Sequence, residues 1–258
     1  MTSLATFALV YLVTFLALLA LQLATFAVGR RIGRFNVVDV SWGVGFALSA
    51  GLLLVLRLAG FGSAASPDAV AVAIAVAAVL WGTRHSIHVG RKPAGKGEDP
   101  RYVDMLERSG GYRAGGSLRS VVVIRKVFLL QSAAQWFVSL PLQALVVGGR
   151  PSGAAAPVAV LGLALWVAGF VVEAVGDAQL EAFKRDPHRP KIMDRGLWAW
   201  TRHPNYFGDA CVWWGLWLAA AATGPAAWTF AAPLAMTYLL VWGSGARLLE
   251  KTMSKREG

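Results

Sequence analysis

Residues 4–28 read LATFALVYLVTFLALLALQLATFAV, 25 residues without a single charge. At a rise of about 1.5 Å per residue, a helix of that length crosses the ~30 Å hydrocarbon core of a bilayer. The run has neither a basic leader nor a small-x-small cleavage signal, so it reads as a retained span and not as a signal peptide. Working outward, further apolar runs follow at 37–58, 70–89, 121–147, 157–183, 206–223 and 226–249. The turn at Gly224-Pro225 leaves room only for a tight antiparallel connection between the last two. The expected fold class is all-α, a polytopic bundle of seven transmembrane helices, with the sixth a candidate for a partly re-entrant segment. A single membrane domain over 1–258 is expected. Helices 1–4 (1–150) form its substrate side and helices 5–7 (157–258) its cofactor side.

Composition agrees with a membrane protein. Only 15% of the 258 residues are charged and 56% are hydrophobic, whereas a soluble domain carries about 25% charged residues. The single cysteine, Cys211, excludes a disulfide framework and a cysteine-based zinc site. Its neighbours Trp213 and Trp214 mark it as a packing residue. The net charge of +11 is explained by where the cations lie. Twenty-three of the 25 Lys and Arg fall in the first, third and fifth connections and the tail, leaving Arg57 and Arg150 on the other side. The positive-inside rule then puts the N-terminus outside and the C-terminus in the cytoplasm. The basic residues read as topology and as contacts with anionic membrane lipids, and no nucleic acid is expected as a partner.

Polar groups inside apolar runs carry the functional signal, because each costs about 2.5–3.5 kcal/mol at the centre of a span. Asp39 lies early in the second run, within Asn36-Val-Val-Asp-Val-Ser-Trp-Gly. Its readings are an interfacial acid pairing with Arg34, or an acid pointing into a lipid-accessible cavity. Glu173, Asp177 and Lys184 share one face of the fifth helix by their spacing. There an acid can accept from ribose hydroxyls or an amide, and a lysine can meet phosphate. The alternative is a stripe that glues two helices together. His85 and His88, three apart at the end of the third helix, could chelate a metal, but the chain holds only four His. They read as interfacial or substrate-facing imidazoles, and no metal is expected.

The stretch 195–215, RGLWAWTRHPNYFGDACVWWG, joins a basic aromatic loop to an apolar helix with Pro204 suited to its first position. A helix N-terminus facing Arg195, Arg202 and His203 is a phosphate-shaped environment at the mouth of an apolar slot. The soluble nucleotide-binding signatures are missing. Gly243-Ser-Gly245 lacks the third glycine of the dinucleotide fingerprint, and neither a P-loop nor Gly-x-Ser-x-Gly occurs.

Asp177-Ala-Gln-Leu-Glu-Ala-Phe-Lys, Gly196-Leu-Trp, Arg202-His-Pro-Asn-Tyr-Phe-Gly-Asp and Trp213-Trp214-Gly together resemble the C-terminal part of the steroid 5-alpha-reductase superfamily. Asn36-Val-Val-Asp-Val-Ser-Trp-Gly and Gly95-Lys-Gly-Glu-Asp-Pro-Arg-Tyr look like its uncharacterised bacterial branch, so the likeness covers most of the chain. The Arg-His-Pro-x-Tyr core alone is also similar to isoprenylcysteine carboxyl methyltransferases. The resemblance implies a seven-helix reductase of the bacterial cytoplasmic (inner) membrane that takes NADPH from the cytoplasm. It implies a pocket of Asp177, Lys184, Arg202, Asn205, Tyr206 and Asp209; the reading of the basic loop as a phosphate environment adds Arg195 and His203. The superfamily's substrate-activating pair is a Glu on the second helix and a Tyr on the third. Here Asp39 is the nearest match to the first, and the third helix has no Tyr, only Trp81, Arg84, His85 and His88 in that region. Asp39 and His85 are therefore the candidate catalytic residues.

The expected reaction reduces a carbon–carbon double bond conjugated to a carbonyl in a lipid or steroid-like substrate. Two rivals remain: an S-adenosylmethionine-dependent lipid methyltransferase and a non-enzymatic lipid-binding membrane protein.

Overall fold

The computed structural model describes residues 3–62, 68–91, 98–108, 116–243, 245–247 and 250. Residues 95–97 of the Gly95–Tyr102 motif, Ser244, Lys92, Lys96 and Arg113 of the third connection, and Lys251, Lys255 and Arg256 of the tail lie outside them. Among the described residues every regular element is a helix: α1 (Ser3–Ile32), α2 (Val38–Leu58), α3 (Ala69–Gly90), α4 (Pro100–Arg108), α5 (Gly116–Val123), α6 (Leu130–Val138), α7 (Leu140–Ala144), α8 (Ala155–Arg185), α9 (Pro204–Ala221) and α10 (Ala231–Tyr238). Among the described residues five stretches are long and apolar enough to cross a membrane: α1, α2, α3, Ser120–Val138 and α8. The chain divides into two compact units, Met1–Val147 and Gly148–Gly258.

The apolar run 121–147 is not one helix. A π-helical stretch, Ile124–Leu129, joins α5 to α6, and the helix then breaks at Ser139 before the short α7. Pro141 causes the break, since it has no N–H and its ring crowds the carbonyl four residues back. Hydroxyl and amide side chains gather at the break. Ser139 Oγ donates to Trp136 O at 3.0 Å, and Gln143 Nε2 donates to Ser139 Oγ at 2.8 Å.

The helices are apolar outside and small or polar inside. The buried face of α1 is Thr6, Val10, Thr14, Leu18, Gln22 and Gly29, while Leu12 and Leu16 are more than half exposed. Water as the outer solvent would favour the reverse. With lipid outside, burying leucine gains little, and small or hydrogen-bonding residues take the interfaces instead. The long apolar helices and this pattern mark an integral membrane protein.

In the first unit a buried amide network binds three elements. Gln22 Nε2 donates to Gln135 Oε1 at 2.7 Å, and Ser41 Oγ donates to Gln22 Oε1 at 3.1 Å. Gln135 Nε2 donates to the carbonyls of Ser41 and Trp42 at 3.1 and 2.7 Å. Trp136 stacks on Tyr11 and donates to its carbonyl at 2.8 Å. At the far end of α2, Arg57 is only 1% exposed; its Nη1 donates to Leu145 O at 2.7 Å, and Nη2 lies 4.0 Å from Asp68. Asp68 in turn caps α3 through the amide of Ala71 at 2.9 Å.

In the second unit α8 and α9 pack antiparallel along a seam of small residues. Gly162, Gly169 and Gly176 recur every seven residues on α8, and Gly208 and Gly215 do so on α9. A Cβ on Gly208 would lie 2.5 Å from Glu173 N, and one on Gly169 would lie 2.6 Å from Gly208 O. The two backbones touch, which only glycine permits. The seven-residue spacing keeps the glycines facing the partner as the helices wind.

Candidate functional site

The α8–α9 seam ends in acids. Glu173 is 4%, Asp177 8% and Asp209 5% exposed. Asn205, in the first turn of α9, donates through Nδ2 to Asp177 Oδ1 at 3.1 Å. Pro204 opens α9 at the position where a missing N–H costs nothing, and His203 before it supplies no side-chain cap. The first turn of α9 therefore lies beside buried Asp177. Asn205 Oδ1 is buried and accepts no hydrogen bond, a cost of about 1–3 kcal/mol unless a donor arrives.

The loop before α9 is fixed to α8. Trp198 Nε1 donates to Gly176 O at 3.0 Å, and Leu197 N donates to Gln179 Oε1 at 3.0 Å. Gly196 adopts φ +61° directly over the Gln179 side chain, a position without space for a Cβ. His203 stacks on Tyr206 with ring centroids 5.5 Å apart. Glu250 approaches two loop side chains, 3.4 Å from His203 Nε2 and 3.7 Å from Arg202 Nη1. Of the residues singled out in the sequence, Asp177, Asn205 and Asp209 thus gather at the seam, with Tyr206 in the first turn of α9 and Arg202 and His203 on the loop before it. Lys184, two turns past Asp177, and Arg195 are exposed. Glu173 and Asp177 are buried where Lys184 is not, so the three-residue stripe on α8 leaves the seam at its last member.

Asp39 and His85 lie in the first unit on the tightly packed pair α2 and α3, where Gly43 and Gly82 face each other and Ser86 Oγ donates to Val40 O at 2.8 Å. His85 lies tilted against fully buried Trp81, ring centroids 5.2 Å apart, and Trp81 meets Phe46 edge to face, as Phe46 meets Trp42. Asp39 accepts a hydrogen bond from the hydroxyl of Tyr102 at 2.5 Å. The phenol beside Asp39 comes from α4, which sequence reasoning assigned no role. The signal was there: Tyr102, Met105 and Leu106 fall at helical spacing, and all three pack on a cluster of Phe35, Val38, Val123, Val127 and Phe128. Glu250 and the amide network were also missed. Their partners are far away in sequence, and nothing local announces them.

Long helices that are apolar outside and small or polar inside define an integral membrane protein. Residues 25–258 match the model of the family described as "Protein of unknown function (DUF1295)". The chain belongs to that family, which lies in the steroid 5-alpha-reductase-like superfamily. No match is found among curated proteins, and none among solved structures.

Proposed function

We propose that this protein is an NADPH-dependent reductase of the bacterial cytoplasmic membrane, acting on a conjugated carbon–carbon double bond in a lipid-like substrate. In this reading seven spans leave the N-terminus outside and the C-terminus in the cytoplasm. The observation that carries the reading is the Tyr102–Asp39 hydrogen bond. Reducing an enone requires a proton donor for the carbonyl oxygen, whereas methyl transfer to a lipid does not.

The seam suits such a cofactor. Asn205 Oδ1, buried without a donor, fits an N–H or O–H group of a dinucleotide. Asp177 orients that amide, and Arg202 and His203 at the start of α9 suit a phosphate. Lys184, Arg195, Tyr206 and Asp209 complete the set. Bound there, NADPH would supply a hydride to the beta carbon of the substrate. The chain's own residues manage the proton. Tyr102 donates to Asp39 at rest; once Asp39 takes up a proton from a buffer acid the bond reverses, the phenol proton passes to the carbonyl oxygen, and the proton on Asp39 moves to the phenolate, which restores the resting pair. One hydride and one proton are added, and the charge developing on oxygen is neutralised where water is scarce. His85, packed against Trp81, lies on the aromatic side of the same helix pair.

The test is equilibrium binding to the purified protein in detergent, with NADPH and S-adenosylmethionine in parallel, followed by NADPH oxidation with citral as a conjugated probe. NADPH should bind and be oxidised, and Tyr102→Phe should slow oxidation about a hundredfold. Binding of S-adenosylmethionine alone would replace this reading with the methyltransferase.

A further inference from the structure

We propose that Glu98 is a positioning residue for the proton donor: its carboxylate, clamped on the start of α2, sets the reach of Tyr102 to Asp39. The inference rests on the reading of Tyr102 and Asp39 as the donating pair.

Glu98 uses both oxygens on backbone amides more than sixty residues away in sequence. Oε2 accepts from Phe35 N, and Oε1 accepts from Asn36 N at 2.9 Å. These amides lead into α2, whose N-cap, Val37, offers no side-chain acceptor. Helix N-termini hold donors in need of partners and favour negative charge. Glu98 meets both needs from a distant segment.

The clamp and the phenol are joined rigidly. Asp99 O accepts the amides of Tyr102 and Val103 at 2.9 and 3.2 Å, and Pro100, with its fixed φ, is the first residue of α4. Glu98 and Tyr102 are four residues apart; Asn36 and Asp39 are three apart. The two contacts between these segments are therefore stacked about one helical turn from each other. Apolar packing of Leu106 and Met105 holds α4 down, but such contacts are non-directional and leave its register free. The bidentate carboxylate is directional. It fixes where along α2 the hydroxyl arrives, which is at Asp39 and not a turn to either side.

The test uses the whole protein in detergent, labelled with fluorotyrosine and followed by fluorine NMR. The Tyr102 resonance is identified by its loss in Tyr102→Phe, and Asp39→Asn gives its position when the bond to Asp39 is altered. Glu98→Gln should move the Tyr102 resonance toward that position and leave the other tyrosines in place. In the citral assay Glu98→Gln should cost about tenfold in rate, and it should cost nothing further when added to Tyr102→Phe. An unmoved resonance in Glu98→Gln overturns the proposal, as does a rate loss of equal size in the Tyr102→Phe background. If Glu98→Gln does not fold, Glu98→Asp keeps the anionic cap on a shorter arm and is judged by the same resonance. A resonance that moves while Tyr102→Phe retains full rate leaves the positioning intact and removes the donor reading.

Discussion

The two compact units solve the same problem in opposite ways. In Met1–Val147 the helices are joined by side chains that reach across gaps: Gln22 to Gln135, Ser41 to Gln22, Trp136 to Tyr11. In Gly148–Gly258 the main pair is joined by removing side chains, so that the backbones of α8 and α9 touch at Gly169 and Gly208. Lipid explains why both are needed. Without a hydrophobic drive between helices, association depends on hydrogen bonds or on close van der Waals contact. The glycine seam also delivers its polar residues with little freedom. Glu173 and Asp177 are carried on the same face as the glycines and are buried with them.

The contrast predicts unequal tolerance. Gly208→Leu should be the most damaging change, because its Cβ would meet Glu173 N and no flexible side chain is there to yield. A loss beyond about 3 kcal/mol, the usual ceiling for overpacking, is expected in thermal unfolding in detergent. Gly51→Leu, on α2 with nothing within 4 Å, is the control and should leave the melting temperature unchanged. If both melt alike, the seam is not what holds the second unit.

Arg57→Ala tests the first unit at its single fully buried guanidinium among the described residues. It should cost about 3 kcal/mol, since it strips the acceptor Leu145 O and leaves Asp68 without its nearby cation. Gln135→Leu is expected to be milder, about 1–2 kcal/mol. It should be rescued in part by Gln22→Leu, because removing both amides leaves no orphan between them. An unrescued double variant would mean that packing, not hydrogen bonding, dominates this interface.

The smallest effect should come from Asp177→Asn, which is isosteric and leaves the seam in place. It should leave thermal stability near that of the wild type while weakening NADPH about fivefold, or about 1 kcal/mol, in direct titration. A large loss of stability with unchanged affinity would make Asp177 part of the glue and not of the site.

Much of this was legible in the chain alone. The uncharged run 4–28 and its successors announce membrane helices through length and composition, because lipid demands apolar side chains on every outward face. Arg202 to Asp209 is readable as a helix start, and Asp177 and Asn205 as candidates, because local spacing and Pro204 fix what happens within two turns. The partnership of Tyr102 with Asp39 was not legible. Nor were the clamp of Glu98 on Phe35 and Asn36, the approach of Glu250 to Arg202 and His203, or the break at Ser139 within an apolar run. Hydropathy and helical period describe a residue's own turn and its face. Which distant side chain completes a hydrogen bond depends on how helices cross, and the crossings are set by packing that only the tertiary structure contains.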